Sequence, residues 1–110
     1  MAFNAADVVL VPFPYRDRLA ERTRPAVVIS GKDYNAKGDM IVAAITSHPA
    51  RFDTDYALLD WARAGLKTSS TVRMLLATVA EARILLHVGQ LSDRDWGEVK
   101  NRIARVFTWP

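Results

Sequence analysis

Two short polar stretches contain the residues best suited to chemistry. Arg24 stands directly before Pro25, and the trio Thr46, Ser47 and His48 closes the apolar run DMIVAAIT. The planar fork of a guanidinium matches the oxygens of a phosphate, and a hydroxyl can orient a ligand. An imidazole can accept or donate a proton near neutral pH. Together these residue types could bind an anion and move a proton.

Each of these residues also has a plain structural interpretation. Hydroxyls such as those of Thr46 and Ser47 are typical turn-capping groups at a strand end. His48, beside a proline, is typical of a surface histidine. His87 lies in an apolar run, which favours a partly buried histidine with a hydrogen-bond partner. The two histidines are far apart in the sequence and show no metal-ligand spacing, so no metal site is indicated.

Three predicted strands position this polar rim. Residues 7–13, 26–30 and 39–46 are apolar and rich in β-branched side chains, with turn formers around them. Pro25 lacks an N–H and fixes its own φ, so it suits the first position of a strand and biases Arg24 toward extended geometry. We therefore expect Arg24 to lie in a loop that reaches the sheet edge. The first and third runs are apolar on both faces. This is more apolar surface than one small core should bury, so the pattern favours contact with a second subunit.

Shorter signals predict the rest of the chain. Residues 31–39 are dense in turn formers and indicate an irregular connection between strands, not a helix. Residues 60–65 indicate one helical turn that ends at a glycine. Further strands are predicted at 55–59, 70–78 and 84–88.

A C-terminal helix over residues 93–107 is the clearest helical prediction. Ser92 is a good N-cap, and Asp95 is placed to complete a capping-box-like pair with it. An apolar stripe recurs at three- and four-residue steps and predicts packing against the sheet. Its members are Trp96, Val99, Ile103 and Val106.

Composition indicates one small domain with a modest positive charge. The chain has 110 residues, half of them hydrophobic, with 15 Lys and Arg against 12 Asp and Glu, and a pI near 9.6. That length suits a single domain over residues 1–110 and is too short for two. The net charge of +3 is compatible with a polyanionic partner but does not demand one.

The positive charge is concentrated in residues 15–24, which we interpret as a basic loop. Its arginines and acids are Arg16, Asp17, Arg18, Glu21, Arg22 and Arg24. A plain solvated connection would have the same composition. The chain has no cysteine, which excludes disulfides and thiolate ligands. No apolar run approaches the ~20 residues of a membrane span, and the N-terminus lacks signal-peptide features, so we expect a soluble, cytoplasmic protein.

The order of the motifs resembles the MazF/PemK-type toxins, the endoribonuclease components of bacterial type II toxin–antitoxin pairs. The resemblance runs through DVVLVPFP, RPAVVIS, DMIVAAITS, DWARAGL, STVRMLLAT and VGQLSDRDWGEV. It implies a mainly β fold with short helices, an SH3-like small barrel (CcdB/PemK/MazF-type) of five to six strands plus a C-terminal α-helix. It also implies a homodimer with an RNA groove across the subunit interface. Two departures are Ala6, where the family usually has glycine, and the unusually arginine-rich loop 15–23.

The resemblance implies an activity and the residues that carry it. The activity is metal-independent, sequence-selective cleavage of single-stranded mRNA by 2′-OH attack, giving 2′,3′-cyclic phosphate and 5′-OH ends, with no cofactor, and a cognate antitoxin as inhibitor. The family's catalytic arginine and threonine fall on Arg24 and Thr46. We assign RNA contacts to Arg16, Asp17, Arg18, Arg22, Ser47, His48 and Arg73.

Two points stay open in the sequence. A threonine hydroxyl is a poor general base unaided, so the base could be His48, Asp17 or water. The alternative function is that of a non-catalytic, protein-binding member of the same barrel superfamily, acting as a gyrase poison does. The presence of both Arg24 and Thr46 favours the nuclease.

Overall fold

In the described residues, six antiparallel strands form one sheet that curls into a half-barrel, with two α-helices and a short 3₁₀ helix, Glu81–Arg83, beside it. The computed structural model describes residues 3–15 and 21–108. The strands are β1 (Asp7–Phe13), β2 (Arg22–Val28), β3 (Asp39–Thr46), β4 (Tyr56–Ala57), β5 (Thr71–Ala80) and β6 (Leu86–Gln90), and the helices are α1 (Lys32–Asn35) and α2 (Asp93–Val106). The strand order in the sheet is β4-β5-β3-β2-β1-β6. The predicted mainly β fold with a C-terminal helix is confirmed, and no helix of the described residues is long and apolar enough to cross a membrane.

Strands β1 and β3 begin and end where the sequence predicted, but β2 begins at Arg22, four residues before its predicted start. The placement of Arg24 in a loop is therefore wrong. The reason is tertiary pairing: Arg22 pairs with Phe13 and Arg24 with Val11, so the ladder to β1 extends the strand through polar residues. Pairing to a neighbour overrides local composition.

Residues 32–35 form a short helix, so the prediction of an irregular connection there is wrong. Buried Asn35 explains why the turn closes. Its amide donates to the carbonyls of Phe3 at 2.9 Å and Ser30 at 3.1 Å, and the Ser30 hydroxyl donates to the Asn35 side-chain oxygen. This buried network joins the N-terminus, the end of β2 and the helix.

Both faces of the central strands are buried within the one chain. Val8 and Val27 pack in one cluster with Val99 of α2, while Val9 and Val11 pack in a second cluster on the opposite face. All five side chains are fully buried. The expectation that one chain could not bury two apolar faces is therefore wrong, because the curled sheet is covered on both sides. The fact that these strands are apolar on both faces therefore gives no support for a dimer.

Ala6, at the position where the sequence resemblance predicts a glycine, has φ +78°. An L-residue in this left-handed region is strained by about 1–2 kcal/mol. The turn is nevertheless kept, since Asp7 accepts a hydrogen bond from the Asn4 amide at 2.8 Å and donates its own amide to the Asn4 carbonyl at 3.1 Å. The substitution therefore leaves β1 in place.

The start of α2 is capped by Ser92, as predicted, but Asp95 does not complete a capping box. Its fully buried carboxylate instead accepts hydrogen bonds from the Tyr56 hydroxyl at 2.7 Å and from the amides of Leu59 at 3.1 Å and Asp60 at 2.8 Å. Burial raises the pKa of the Tyr56 phenol well above its usual range, and the hydrogen bond to Asp95 adds to that. Tyr56 therefore stays a neutral donor across the physiological pH range.

Replacing Asp95 with alanine should destabilise the fold by about 2–4 kcal/mol, because it leaves one buried hydroxyl and two partly buried amides without their acceptor. Asp93→Ala is the matched control, since Asp93 is an exposed aspartate in the first turn of the same helix. The control should cost less than ~1 kcal/mol. Urea unfolding of both variants measures the difference, and equal losses would show that Asp95 acts only through the helix dipole.

Candidate functional site

Strands β2 and β3 part at Pro25. Their ladder pairs Ala26 with Ala44 and runs inward from there. Continuing the same register by two residues would place Arg24 opposite Thr46. Proline has no N–H to donate, so it suits a position where the ladder on one side has ended. The parted strands thus leave an arginine and a threonine facing a gap in the sheet.

A cavity of about 720 Å³ opens at this gap. Its walls come from the start of β2, the end of β3 with the following turn, residues 65–70, and β6. The lining side chains and backbone belong to Leu10, Tyr15, Thr23, Arg24, Pro25, Ile45, Thr46, Ser47, His48, Gly65, Leu66, Lys67, Thr68, Ser70, Leu86 and Val88. The volume lies within the roughly 300–1,000 Å³ that ligand sites usually occupy.

The cavity contains most of the described candidate residues. Arg24, Thr46, Ser47 and His48 all line it. Arg22 is exposed at the beginning of β2 and does not line it. Arg16, Asp17 and Arg18 lie outside the described residues.

Arg73 is not brought to the cavity. It lies on β5, with Nε 3.8 Å from a carboxylate oxygen of Asp55. Asp55 is buried and also accepts the amides of Arg51 and Phe52 at 2.9 and 3.2 Å. This pairing indicates a structural role for Arg73 in holding the loop before β4.

The Arg24 guanidinium is half-buried and free to bind an anion. One of its nitrogens donates to the Thr23 carbonyl at 3.0 Å, and no carboxylate of the described residues pairs with it. The other donors of the fork remain available. A guanidinium held beside the backbone in this way is oriented before a ligand arrives.

Thr46 caps the turn that follows β3. Its hydroxyl oxygen accepts the His48 amide at 3.2 Å, so the turn-capping interpretation is confirmed. The hydroxyl proton finds no acceptor within the part of the chain that the structure describes, so it can still donate to a ligand. The His48 ring is exposed and has no carboxylate contact among residues 3–15 and 21–108. The side chain of His87 is separate from this site, with its Nε2 3.5 Å from Oδ1 of Asp7.

The charged side chains that line the cavity, among the described residues, are all of positive sign. Arg24 and Lys67 both line it, whereas no carboxylate among the described residues does. Lys67 is exposed and makes no ion pair with them. Sequence reasoning missed Lys67, because its only signal was a position two residues after a turn-ending glycine. The cavity is therefore suited to a polyanion.

One wall of the cavity is carried by residues 59–68: residues 65–68 line the cavity, residues 59–64 connect them to the rest of the fold, and the backbone of the segment packs directly on β6. Gly65 has φ +88°, and a Cβ there would lie 2.5 Å from the Val88 carbonyl oxygen. A Cβ on Gly89 would lie 2.3 Å from the Ala64 carbonyl oxygen. The predicted turn at 60–65 is present, with the Ala64 amide donating to the Asp60 carbonyl at 3.1 Å. Only glycines permit this close contact.

The same wall is joined to α2 by Asp60. Its carboxylate accepts two hydrogen bonds from the Arg94 guanidinium, at 2.7 and 2.8 Å, and one from the Ser92 hydroxyl at 2.5 Å. The Arg94 hydrogen bonds, followed by that of Ser92, hold the pKa of Asp60 well below its usual range. The pKa of Arg94 is correspondingly raised by Asp60. Within the described ranges, no cluster of three or more His, Asp or Glu side chains could hold a metal ion.

Comparisons with known proteins agree on one family. The family model described as PemK-like, MazF-like toxin of type II toxin–antitoxin system matches residues 4–107. No curated protein gives a significant sequence match.

Solved structures share the fold at low sequence identity. An endoribonuclease from a mycobacterial species, in complex with its cognate antitoxin, has a TM-score of 0.77 at 15% identity, covering 99% of this chain and 100% of that one. MazF from Deinococcus radiodurans has a TM-score of 0.77 at 20% identity, covering 96% of each chain. The Mycobacterium tuberculosis toxin MazF-mt6 has a TM-score of 0.75 at 17% identity, covering 94% of this chain and 99% of that one.

The pairing of Asp60 with Arg94 should make the free energy of unfolding depend on pH in the acid range. A carboxylate with a lowered folded-state pKa stabilises the fold above its unfolded pKa of about 3.9 and loses that contribution as the pH falls further. Arg94→Ala should therefore be less stable than the wild type at pH 5–7. The difference in melting temperature between the two proteins should become smaller below about pH 4. Thermal unfolding from pH 2.5 to 7 measures this. Arg105→Ala, whose partner Asp53 is almost fully exposed, should show no such narrowing, and an equal effect in both variants would contradict the assignment.

Proposed function

We propose that this chain, which belongs to the PemK-like, MazF-like toxin family of type II toxin–antitoxin systems, is an endoribonuclease that cleaves single-stranded mRNA at the cavity beside Arg24. The observation that carries the proposal is the lining of that cavity. It combines a guanidinium, an ammonium and hydroxyls, with no described carboxylate among them. Such a lining suits phosphodiester chemistry on a polyanion. The structurally similar mycobacterial and Mycobacterium tuberculosis proteins, one named an endoribonuclease and the other a MazF toxin, support the proposal.

The proposed reaction consumes no water and involves no metal ion. The 2′-oxygen of the ribose attacks the adjacent phosphorus, the bond from phosphorus to the 5′-oxygen breaks, and the products are a 2′,3′-cyclic phosphate and a 5′-OH. The 2′-OH loses a proton, and the departing 5′-oxygen gains one. The protein must therefore orient the phosphate, stabilise its growing negative charge and move protons.

Arg24 would orient and stabilise the phosphate with the free donors of its fork. Each well-placed donor of this kind is worth about 10²- to 10³-fold in rate. Thr46 would donate its hydroxyl proton to a phosphate oxygen, while its own oxygen stays held by the His48 amide. His48 is the described residue at the cavity that could accept the 2′ proton, since an imidazole can do so near neutral pH.

The proposed partners are RNA, a cognate antitoxin and a second copy of the chain. An acidic antitoxin segment that folds on binding could occupy the same positive cavity as RNA. The homodimer proposal has support in exposed leucines next to the cavity, because Leu85 and Leu86 of the β6 edge are 60% and 56% exposed. Light scattering at micromolar concentration tests it, and a monomer would count against it.

Arg24→Ala should reduce RNA cleavage at least ~100-fold with little change in melting temperature, because its one hydrogen bond within the described residues is an exposed one to the carbonyl of the neighbouring Thr23. Arg24→Lys should recover only part of the rate, since an ammonium keeps the charge but not the fork. The assay uses long RNA in EDTA, with end analysis for the cyclic phosphate. Arg105→Ala is the control for loss of a surface arginine and should cleave normally.

In the same assay, Thr46→Ala should lower the rate, and His48→Ala should lower it ~10²- to 10⁴-fold if the imidazole is the base. A His48→Ala protein with a normal rate would leave water as the base. Near-normal cleavage by a folded Arg24→Ala protein would overturn the proposed site. Intact RNA with the wild type, together with inhibited gyrase, would favour the protein-binding alternative.

An acidic antitoxin peptide and RNA should compete for the chain. Both are polyanions, so their binding should also weaken as salt rises. Competition is measured by displacement of a labelled RNA that carries 2′-O-methyl groups and cannot be cleaved. Simultaneous binding of both, with no loss of affinity for either, would show two separate sites.

A further inference from the structure

Lys67 is a cation at the cavity that the proposed reaction does not use. It lies on the wall formed by residues 59–68, whereas Arg24 lies on β2. Its ammonium makes no ion pair with the described residues. A free cation in the same cavity as the proposed reactive arginine, with no described carboxylate in the lining, is positioned to bind a second negative group of the same ligand.

The wall that carries Lys67 is fixed at both ends. At its start, buried Asp95 accepts the amides of Leu59 and Asp60. After Lys67, the Ser70 hydroxyl donates to the Thr68 carbonyl at 2.8 Å, and the Ser70 carbonyl accepts the Leu58 amide at 2.9 Å.

Between these ends, Gly65 allows the backbone to lie directly on β6. The Cα of Lys67 is therefore held by a rigid frame, and only the side chain has to be ordered when a ligand binds. Pre-arranged binding groups of this kind lose less entropy on binding.

We propose that Lys67 binds a second phosphate of the RNA strand, adjacent to the phosphate held by Arg24, and that Asp95 is the positioning residue for it. The proposal rests on the proposed function. A lysine binds phosphate as a point charge and needs no fixed fork, so it suits a phosphate that is held but not cleaved. RNA presents such a phosphate at every nucleotide. Lys67 would then set affinity and the placement of the strand, while Arg24 acts on the scissile bond.

Salt dependence provides the direct test. For a single strand, each phosphate contact contributes about 0.7 to the slope of log affinity against log salt. The probe is a fluorescein-labelled RNA of the sequence that the wild type cleaves, made uncleavable by a 2′-O-methyl group at the attacking position. Lys67→Ala should weaken binding several-fold and flatten the slope by about 0.7, whereas Lys67→Arg should restore both.

Lys32→Ala is the matched control. Lys32 is also an exposed lysine, but it lies in α1, beyond the other end of β2 from Arg24, and does not line the cavity. Its removal should leave the slope unchanged. In cleavage, Lys67→Ala should raise KM more than it lowers kcat, because the contact is made equally in the bound and transition states.

The role of Asp95 is tested by a double-mutant cycle. Asp95→Asn keeps the shape but turns an amide group toward backbone donors, so the start of the wall should loosen. Lys67→Ala should then cost less affinity in the Asp95→Asn background than in the wild type. If the losses of RNA affinity in the two single variants simply add in the double variant, Asp95 does not position Lys67. If Asp95→Asn does not fold, Tyr56→Phe takes its place, because loss of the phenol hydroxyl frees the Asp95 carboxylate to rotate and should weaken its hold on the amides of Leu59 and Asp60.

The outcomes separate this inference from the proposed function. A wild type that neither binds nor cleaves RNA would overturn the proposed function. A wild type that cleaves RNA, with a Lys67→Ala variant that keeps the full salt slope and KM, would overturn the Lys67 assignment alone.

Discussion

The end of the β2–β3 ladder is the constraint on which the site depends. Pro25 cannot donate to a neighbouring strand, and the pairing that runs inward from Ala26 and Ala44 stops there. The register of the two strands does not continue beyond this pair, and Arg24 and Thr46 both line the cavity that opens there. β1 holds Arg24 on one side through its pairing with Val11, and β5 holds Thr46 on the other through Thr71. The gap is thus fixed by its neighbours.

A pair of carboxylates fixes the opposite wall. Asp95 of α2 accepts hydrogen bonds from the start of residues 59–68, and Asp60 of that segment accepts hydrogen bonds from Ser92 and Arg94 of α2. Each carboxylate accepts three hydrogen bonds, from neutral donors at Asp95 and from Arg94 and Ser92 at Asp60, so its burial does not leave an unsatisfied group. The reciprocal arrangement joins the helix to the cavity across more than thirty residues of sequence. The C-terminal helix therefore supports the site although it supplies no lining residue.

Much of this could be predicted from local sequence, and the exceptions share a cause. β1 and β3 were predicted with correct bounds because runs such as DVVLVPF are short, β-branched and flanked by turn formers. The prediction that Arg24 and Thr46 lie at one rim rested on an arginine before a proline and on hydroxyls at a strand end, although β2 itself begins at Arg22, before that proline. The helix Lys32–Asn35, the partners of Asp95 and the direction of Arg73 were missed, because each depends on contacts distant in sequence. Side chains alternate between the two faces of a sheet along a strand, but the sequence does not say which face is which. Only the contact with Asp55, distant in sequence, shows on which face of the sheet Arg73 lies.

Binding of RNA in the cavity between these two walls is tested most directly by amide chemical shifts of the ¹⁵N-labelled protein, measured during titration with an uncleavable RNA strand. If RNA binds there, the largest changes should fall on the three cavity segments around Arg24, Thr46 and Lys67, and α1 should be unaffected. Changes confined to α1 and the exposed face of α2, with the cavity amides unmoved, would contradict it.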